Sequence, residues 1–301
     1  MSAPASESRF VVPALAAVYV IWGSTYLAMR IAVEALPPFM MASVRFVLVG
    51  FVLLTFLKVR GAAWPTPKEW LLSLPVGVLM FVLGNGTVAL AEKHISSGIA
   101  AVVCGTMPLC AAAMGPLFGE RATPREWVGL IAGFAGVAVL GFGSELRAEP
   151  LYAAILCVAP VAWAAGSMLS RKLPLPKGLM SAATQMLTGG FAMAFVSLAA
   201  GERVPEHIPL KVGLSWVYLC VFGSLVAYSA YTYLLRTTRP AVATSYSYVN
   251  PAIAVAMGAL LGNESVGPEV IVAVVLIVGA TAMVVMGRTP STPATRSSSP
   301  S

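Results

Sequence analysis

Charge is scarce in this sequence, and aspartate is missing from it. Only 10% of the 301 residues are charged, whereas a soluble domain carries roughly 25%. The twelve acids are all glutamates, and none falls in the middle of an apolar run. The two histidines, His94 and His207, fall in loops between such runs. An enzyme inside a membrane needs a buried acid, base or metal cluster, so we expect no catalytic residue, no metal and no cofactor.

Other signals of function are also missing. The phosphate-binding pattern G-x-x-x-x-G-K-[ST] does not occur, so ATP could drive this chain only through another chain. The four cysteines show no metal-ligand spacing and are expected to pack as small apolar residues. The lack of an acid in the middle of any run favours neutral or zwitterionic ligands over multivalent cations.

Apolar sequence is abundant, at 58% of the residues and a mean hydropathy of +0.85. It forms ten runs of about 20 residues, the length that crosses a hydrocarbon core of roughly 30 Å. We therefore predict an all-α integral membrane protein with ten transmembrane helices. A cleaved signal peptide is the alternative for the first run, but that run is long and carries Trp22 and Tyr26. The runs cover 10–30, 38–57, 69–91, 97–118, 125–143, 151–170, 178–200, 212–235, 241–262 and 268–287.

The chain contains one segment twice. Residues 111–120 read AAAMGPLFGE, and residues 254–263 read AVAMGALLGN, which is identical at six of ten positions with an offset of 143. Trp22 recurs as Trp163 at an offset of 141. A period this long is half the protein, not a solenoid repeat. The sequence is therefore that of a fused duplication.

The duplication predicts a domain plan and a topology. We expect one five-helix repeat at 10–143, a second at 151–287, and a disordered cytoplasmic tail at 288–301. Because five is odd, the second repeat must enter the membrane inverted, as in many secondary transporters. An N-terminus in the cytoplasm puts 13 of the 19 basic residues on the inner side, the side that short basic loops mark. These are Arg9, Lys58, Arg60, Lys68, Arg121, Arg125, Arg171, Lys172, Lys177, Arg236, Arg239, Arg288 and Arg296.

These residues carry a family resemblance. The first run has WGSTYLAMR at 22–30, followed by Pro37-Pro38 and Arg45-Phe46, and residues 223–264 look like the second copy of an EamA domain. From 10 to 287 the chain resembles the EamA-type, ten-span branch of the drug/metabolite transporter superfamily. The resemblance implies a bacterial inner-membrane transporter with both termini in the cytoplasm. Amino-acid and metabolite exporters are its expected functional analogues.

Two pairs of residues are candidates for the wall of a substrate cavity. Trp22 and Trp163 hold equivalent places in the first helix of each half, and an indole N–H in mid-membrane needs a partner. Asn85 lies between two glycines in the third run, and its counterpart at an offset of 143 is Tyr228. Glycines can serve close helix packing alone, but an amide in hydrocarbon requires hydrogen-bond partners.

The ninth run is unusually polar where it contains Tyr246, Tyr248 and Asn250. We expect at least one of these side chains to line the cavity. Pro251 follows them and frees a backbone carbonyl about one turn upstream. Pro108 does the same in the fourth run, so both prolines are candidate hinges; the alternative is a kink whose freed groups neighbouring helices satisfy.

Two further sets of charged residues have structural interpretations. Arg45, seven residues into the second run, could anchor a substrate carboxylate. We expect instead that it extends to the outer interface or bonds carbonyls at a helix end. The loop residues Glu120 and Glu264 are expected to cap or orient helix ends.

The resulting functional prediction is a secondary transporter that moves small metabolites, such as amino acids or amphipathic compounds, by alternating access. It is expected to need a small-molecule substrate and a lipid bilayer, to bind no nucleic acid, and to act as a monomer. Transport is expected to be uniport, or coupled to protons without a central carboxylate. The alternative from another class is a receptor or scaffold that binds a ligand without moving it.

Overall fold

The computed structural model describes residues 10–118, 123–238, 242 and 245–287, and within these residues the chain is helical with no strand. The predicted tail at 288–301 and Glu120 lie outside the described part. A five-residue helix, Ser144–Ala148, lies just before the long helix that begins at Pro150. The ten long helices are α1 Val11–Ala32, α2 Pro38–Val59, α3 Pro67–Ala91, α4 Ser97–Leu117, α5 Pro124–Leu140, α6 Pro150–Lys172, α7 Leu179–Ala199, α8 Leu210–Leu234, α9 Tyr246–Leu261 and α10 Pro268–Gly287.

Local sequence sets where these helices begin. Proline opens α2, α3, α5, α6 and α10, a position where its missing N–H costs nothing and its fixed φ suits the helix. Two starts share the pattern Thr-Pro-x-Glu, at Thr66 and Thr123. In each, the threonine hydroxyl accepts from the glutamate N–H, and the glutamate carboxylate accepts from the threonine N–H. This reciprocal capping satisfies backbone groups that a helix end leaves free.

Seven of the described helices, α1 to α4 and α6 to α8, are long and apolar enough to cross a membrane, while α9 and the Pro268–Val284 part of α10 are shorter apolar stretches. Their outward faces carry large apolar side chains: Phe51, Phe195, Leu198 and Val275 are each more than 60% exposed. A soluble protein rarely leaves so much apolar surface uncovered. The outward-facing residues therefore have the character expected of a surface in contact with lipid.

Interruptions occur at equivalent places in the two halves. The helix α3 is π-helical over Val78–Gly86, and α8 is π-helical over Leu219–Val226, an offset of 141 between their first residues. A π-helical turn is wider than an α-turn and is frequent at functional sites. The helix α4 breaks at Gly105 and Thr106, with Pro108 in the first turn of its second segment.

Contacts between the two halves come in exchanged pairs. Helix α1 packs against α8 and α9, and its repeat counterpart α6 packs against α3 and α4. Helices α2 and α7, α4 and α9, and α5 and α10 each contact their own counterpart. The turns after α2 and α7 match as well. Two residues beyond the end of each helix lies a glycine with positive φ, Gly61 at 81° and Gly201 at 68°. Glycine adopts this conformation most easily. This is the pattern of a twofold relation between the halves.

Candidate functional site

A cavity of about 140 Å³ lies between the two halves of the bundle. Residues of eight helices line it: α1, α2, α3, α4, α6, α7, α8 and α9. An apolar cavity of about this volume can hold a benzene ring. The space therefore suits a small organic molecule or part of a larger one.

One wall of the cavity is aromatic and centred on Trp22. Its ring contacts Tyr228, Tyr231 and Tyr246, with centroid distances of 5.9, 5.3 and 4.7 Å. The indole N–H donates to the carbonyl of Gly223 at 3.0 Å, within the π-helical segment of α8. Edge-to-face packing of this kind adds to the stability that burial itself provides. Trp22 therefore joins α1 to α8, and its polar group is already used.

Three other cavity residues have unused polar groups. Asn85, Trp163 and Tyr228 line the cavity. Within the described part of the chain, the Asn85 amide, the Trp163 indole N–H and the Tyr228 hydroxyl make no hydrogen bond to the protein. Trp163 packs closely on Gly84, where an added methyl would lie 2.8 Å from its Cε3 atom. These three groups can therefore bond a ligand without breaking a bond in the protein.

Arg45 also lines the cavity, and it is only 5% exposed. Its Nε–H donates to the hydroxyl of Ser224 at 2.8 Å, and that hydroxyl donates to the Leu219 carbonyl five residues earlier at 3.1 Å. The i to i−5 spacing is that of the π-helical segment. The guanidinium also lies 4.8 Å from the centre of the Phe46 ring, a favourable cation–π contact. The side chain therefore points into the protein and stays there.

The polar face of α9 closes another side of the cavity. Tyr246, Ser247, Asn250 and Pro251 line it, but Tyr248 does not. Two residues at about 100° each carry Tyr248 to the opposite side of the helix from Tyr246. With its amide turned to satisfy both groups, Asn250 donates to the carbonyls of Tyr246 and Tyr19 at 3.3 Å each. Asn250 therefore holds α9 to α1.

The two candidate hinge prolines belong to helices that touch. A methyl added at Gly105, in the break of α4, would lie 2.7 Å from Cγ of Pro251. The carbonyl of Gly105 accepts a hydrogen bond at 3.0 Å from the hydroxyl of Thr281 in α10. Helix α9 runs through Pro251 without a break. The freed carbonyl at the α4 break is thus satisfied by a neighbouring helix, whereas the proline of α9 packs against that break.

A second group of charged residues lies at one end of the bundle. Glu92 follows α3 directly and is 0% exposed, and within the described residues neither carboxylate oxygen has a hydrogen-bond partner. Arg30 donates to the backbone carbonyl of Glu92. The carboxylate of Glu264 accepts from the N–H groups of Ser97 and Gly98 at 2.8 and 3.0 Å. Glu264 therefore caps the start of α4, as expected of a residue that orients a helix end.

The sequence matches a family of membrane transporters. The model of the EamA-like transporter family matches residues 9–142 and again 151–286. The chain is similar to the "uncharacterized inner membrane transporter YedA" of Escherichia coli K12, with 42% identity over 91% of this chain and 90% of the relative.

The chain belongs to the EamA-like transporter family.

Two more distant likenesses cover most of the chain. The protein PecM of Dickeya dadantii is 24% identical, over 86% of this chain and 87% of its own length. A solved structure titled "Crystal structure of protein" superposes with a TM-score of 0.65 at 21% identity, covering 92% of this chain and 98% of that one. At that identity the superposition shows a shared fold and no more. The family match and the 42% identical relative confirm the resemblance to the drug/metabolite transporter superfamily.

Within this EamA-like transporter, six of the seven predicted site residues lie together at the cavity. These are Trp22, Asn85, Trp163, Tyr228, Tyr246 and Asn250. Tyr248 is the exception. The expected role of Arg45 is wrong: the side chain does not extend to the interface but is buried beside Ser224. Its position seven residues into α2 indicated a shallow depth, and depth along a helix does not tell which face it lies on.

Sequence reasoning also missed residues of the transporter's cavity. Ser224, Phe46 and Phe81 line it, and so does Pro160, a proline inside α6. Pro160 carried the same signal as Pro108 and Pro251, since a proline in a long apolar helix is unusual. Nothing in its own neighbourhood singled out Ser224, because its importance comes from Arg45 on another helix.

Proposed function

We propose that this protein is a secondary transporter that exports small metabolites, amino acids or amphipathic compounds among them, by alternating access. One observation carries the proposal: polar groups from both halves, on Asn85, Trp163 and Tyr228, meet at a cavity with aromatic walls. Ligand sites combine mostly apolar walls with a few polar groups that orient the ligand. The aromatic rings would hold the apolar part of the substrate, and the polar groups would orient the rest.

The proposal includes a topology. All ten helices cross the bacterial inner membrane as two inverted five-helix repeats, with both termini in the cytoplasm, and the protein acts as a monomer. The exchanged helix contacts support the twofold relation, and the excess of Lys and Arg in alternate loops supports the orientation. Inverted repeats with a central site can expose that site to each side in turn by rocking against one another.

The break in α4 supports a route for that motion. Its two segments, Ser97–Cys104 and Met107–Met114, meet beside the Pro251 ring of α9. A helix with a break can change the angle between its segments without losing further backbone hydrogen bonds. We propose that Pro108 and Pro251 are the hinge residues of the transport cycle.

Counterflow in proteoliposomes tests the proposed function. Purified full-length protein is reconstituted with unlabelled amino acids inside, and uptake of the labelled compound is followed. Losing one orienting hydrogen bond costs about 0.5–1.5 kcal/mol, so Asn85→Ala and Tyr228→Phe should each weaken substrate affinity roughly two- to thirteen-fold. Tyr152→Phe is the matched control, because Tyr152 lies outside the cavity and stacks on His94 with 3.6 Å between centroids.

The result separates the transporter from its alternative. Labelled compound should accumulate only in vesicles that contain both the protein and internal substrate. A ligand that binds the purified protein but never exchanges across the vesicle would identify a receptor or scaffold. Normal exchange by both Asn85→Ala and Tyr228→Phe would agree with a transporter but would show that these residues do not bind its substrate.

A further inference from the structure

Arg45 is a buried cation without an anionic partner in the protein. Within the described residues, its one hydrogen bond is from Nε to Ser224, and no carboxylate lies within 4.0 Å of the guanidinium. Among the described residues that line the cavity, it is also the only side chain with a full charge at neutral pH. Arginine does not lose its proton in proteins. The charge is therefore present in the cavity wall and is not neutralised by the chain.

Such an arrangement is costly for folding alone. Burying an unpaired charge opposes stability, and buried ionic groups are normally paired. Inside a membrane, an ionisable side chain that faces an internal cavity marks a functional site by default. The Ser224 hydroxyl and the Phe46 ring hold the guanidinium in place without supplying negative charge. A guanidinium that binds an anion from outside the protein must be held in place while its charge stays unpaired.

We propose that Arg45 binds the carboxylate of the transported substrate, and that the substrate is a small carboxylate or amino acid with an apolar group. This inference rests on the proposed function for its site. The two remaining guanidinium nitrogens match the geometry of a carboxylate, which arginine can bind through two parallel hydrogen bonds.

The surroundings of Arg45 limit the rest of the substrate. The cavity of about 140 Å³ admits a group about the size of a benzene ring. The walls near the guanidinium are the rings of Phe46 and Phe81, whose centroids are 4.5 Å apart, and both line the cavity. A branched aliphatic or single-ring substituent fits this volume and these walls.

The test compares three matched pairs that differ in the carboxylate alone: L-valine with L-valinamide, L-leucine with L-leucinamide, and benzoate with benzamide. Affinity is measured by thermal-shift titration of the purified full-length protein, and flux by counterflow. The carboxylate of at least one pair should bind more tightly than its amide by roughly 10- to 150-fold, the range of a hydrogen bond to a charged group. Arg45→Gln should abolish that preference, and Arg45→Lys should keep part of it.

Two measurements keep a folding effect apart from a binding effect. Because the charge is unpaired, Arg45→Gln without ligand should have an unchanged or higher melting temperature. Arg60→Gln is the matched control, since Arg60 ends the same helix α2, is exposed and lies outside the cavity. It should leave both affinity and flux unchanged.

The outcomes distinguish the two proposals. Equal binding of carboxylates and amides, a carboxylate preference that survives Arg45→Gln, or no binding of any of the three carboxylates would overturn the role of Arg45. Stabilisation by sodium chloride alone, with no effect of the carboxylates, would overturn it too. Carboxylate binding that depends on Arg45 but gives no flux would keep this inference and reject the transporter. Transport of an amide at a rate that Arg45→Gln does not change would reject this inference and keep the transporter.

Discussion

The indole N–H of Trp22 donates to the carbonyl of Gly223 at 3.0 Å, which ties the middle of α1 to the π-helical segment of α8. The two residues are 201 positions apart and belong to different repeats. Around this bond, three tyrosine rings pack on Trp22. The contact joins the halves of the protein at the cavity wall. Its removal should therefore lower the free energy of unfolding.

Replacing Trp22 with phenylalanine tests this contact. Trp22→Phe keeps an aromatic ring but removes the donor, and the loss of one hydrogen bond should lower the free energy of unfolding by about 1 kcal/mol. The melting temperature in detergent measures the effect. Trp127→Phe is the control: Trp127 is 55% exposed on α5, and a surface substitution should change stability by less than about 0.5 kcal/mol. Equal melting temperatures for both variants would show that the hydrogen bond contributes nothing.

A methyl group at Gly105 should be poorly tolerated. It would lie 2.7 Å from Cγ of Pro251 and 3.1 Å from the carbonyl oxygen of Val102, and neither a proline ring nor a helix backbone moves away easily. Overpacking of this kind costs about 1–3 kcal/mol. Gly105→Ala should therefore lower the melting temperature.

The control for Gly105 is the same substitution in α10. A methyl group at Gly279 would meet nothing within 4 Å, and alanine is favoured over glycine in a helix by about 1 kcal/mol. Gly279→Ala should leave the protein as stable as before or more so. If Gly105→Ala proves equally harmless, the close packing of α4 on α9 is not rigid.

Glu92 should make stability depend on pH. It lies just beyond the end of α3, and burial raises the pKa of its carboxyl well above the ordinary value; Glu264 adds to the increase, and Arg30 opposes it. Between the unfolded pKa of about 4.3 and the raised folded pKa, the folded state holds the proton that the unfolded state has lost. The contribution of Glu92 to stability is therefore full below about pH 4.3 and is lost as pH rises.

The variant Glu92→Gln isolates that contribution. It keeps the shape of the side chain without the ionisation, so its melting temperature should increasingly exceed that of the wild type as pH rises from about 5 to 8. Glu34→Gln removes an exposed partner of Lys211, at 2.9 Å, and should show a small difference that does not grow in this way. A constant gap between wild type and Glu92→Gln over this range would mean that Glu92 does not titrate as its burial implies.

Glu264 should stabilise the first turn of α4. Glu264→Ala removes the acceptor for the N–H groups of Ser97 and Gly98, and losing such a cap costs about 0.5–2 kcal/mol. Hydrogen exchange at these two amides should become faster, and the melting temperature should fall. Glu264→Gln retains one acceptor oxygen and should have a smaller effect. If both amides remain equally protected in Glu264→Ala, the start of α4 is held by other contacts.

Much of the architecture was accessible from sequence because it depends on local properties. Helix positions followed from the length of the apolar runs and from the prolines that open α2, α5 and α10. The duplication related Trp22 to Trp163 before any contact was known, and both line the cavity. A polar residue inside an apolar helix, such as Asn85, also stands out within its own segment.

Only the tertiary structure shows which hydrogen bonds each polar group makes and how deeply it is buried. The sequence indicated that the Trp22 indole needs a partner, but only the packing identifies that partner as the carbonyl of Gly223. The Asn250 amide donates to the carbonyls of Tyr246 and Tyr19, which no local pattern indicated. Arg45 looked shallow, yet it is buried because Ser224, 179 positions away, receives its Nε–H. Glu92 lies outside the apolar runs, yet packing leaves it 0% exposed.

The physical reason is the range of the interactions. Hydropathy, proline geometry and helix capping act over a few residues, so the sequence determined the membrane character, the helices and their twofold repetition. Hydrogen bonding and the burial of charge depend on which helix faces which, and the faces that meet come from residues more than a hundred positions apart. The hydrogen bond of Trp22 to Gly223 and the position of Arg45 at the cavity therefore depend on how α1 and α2 pack against α8.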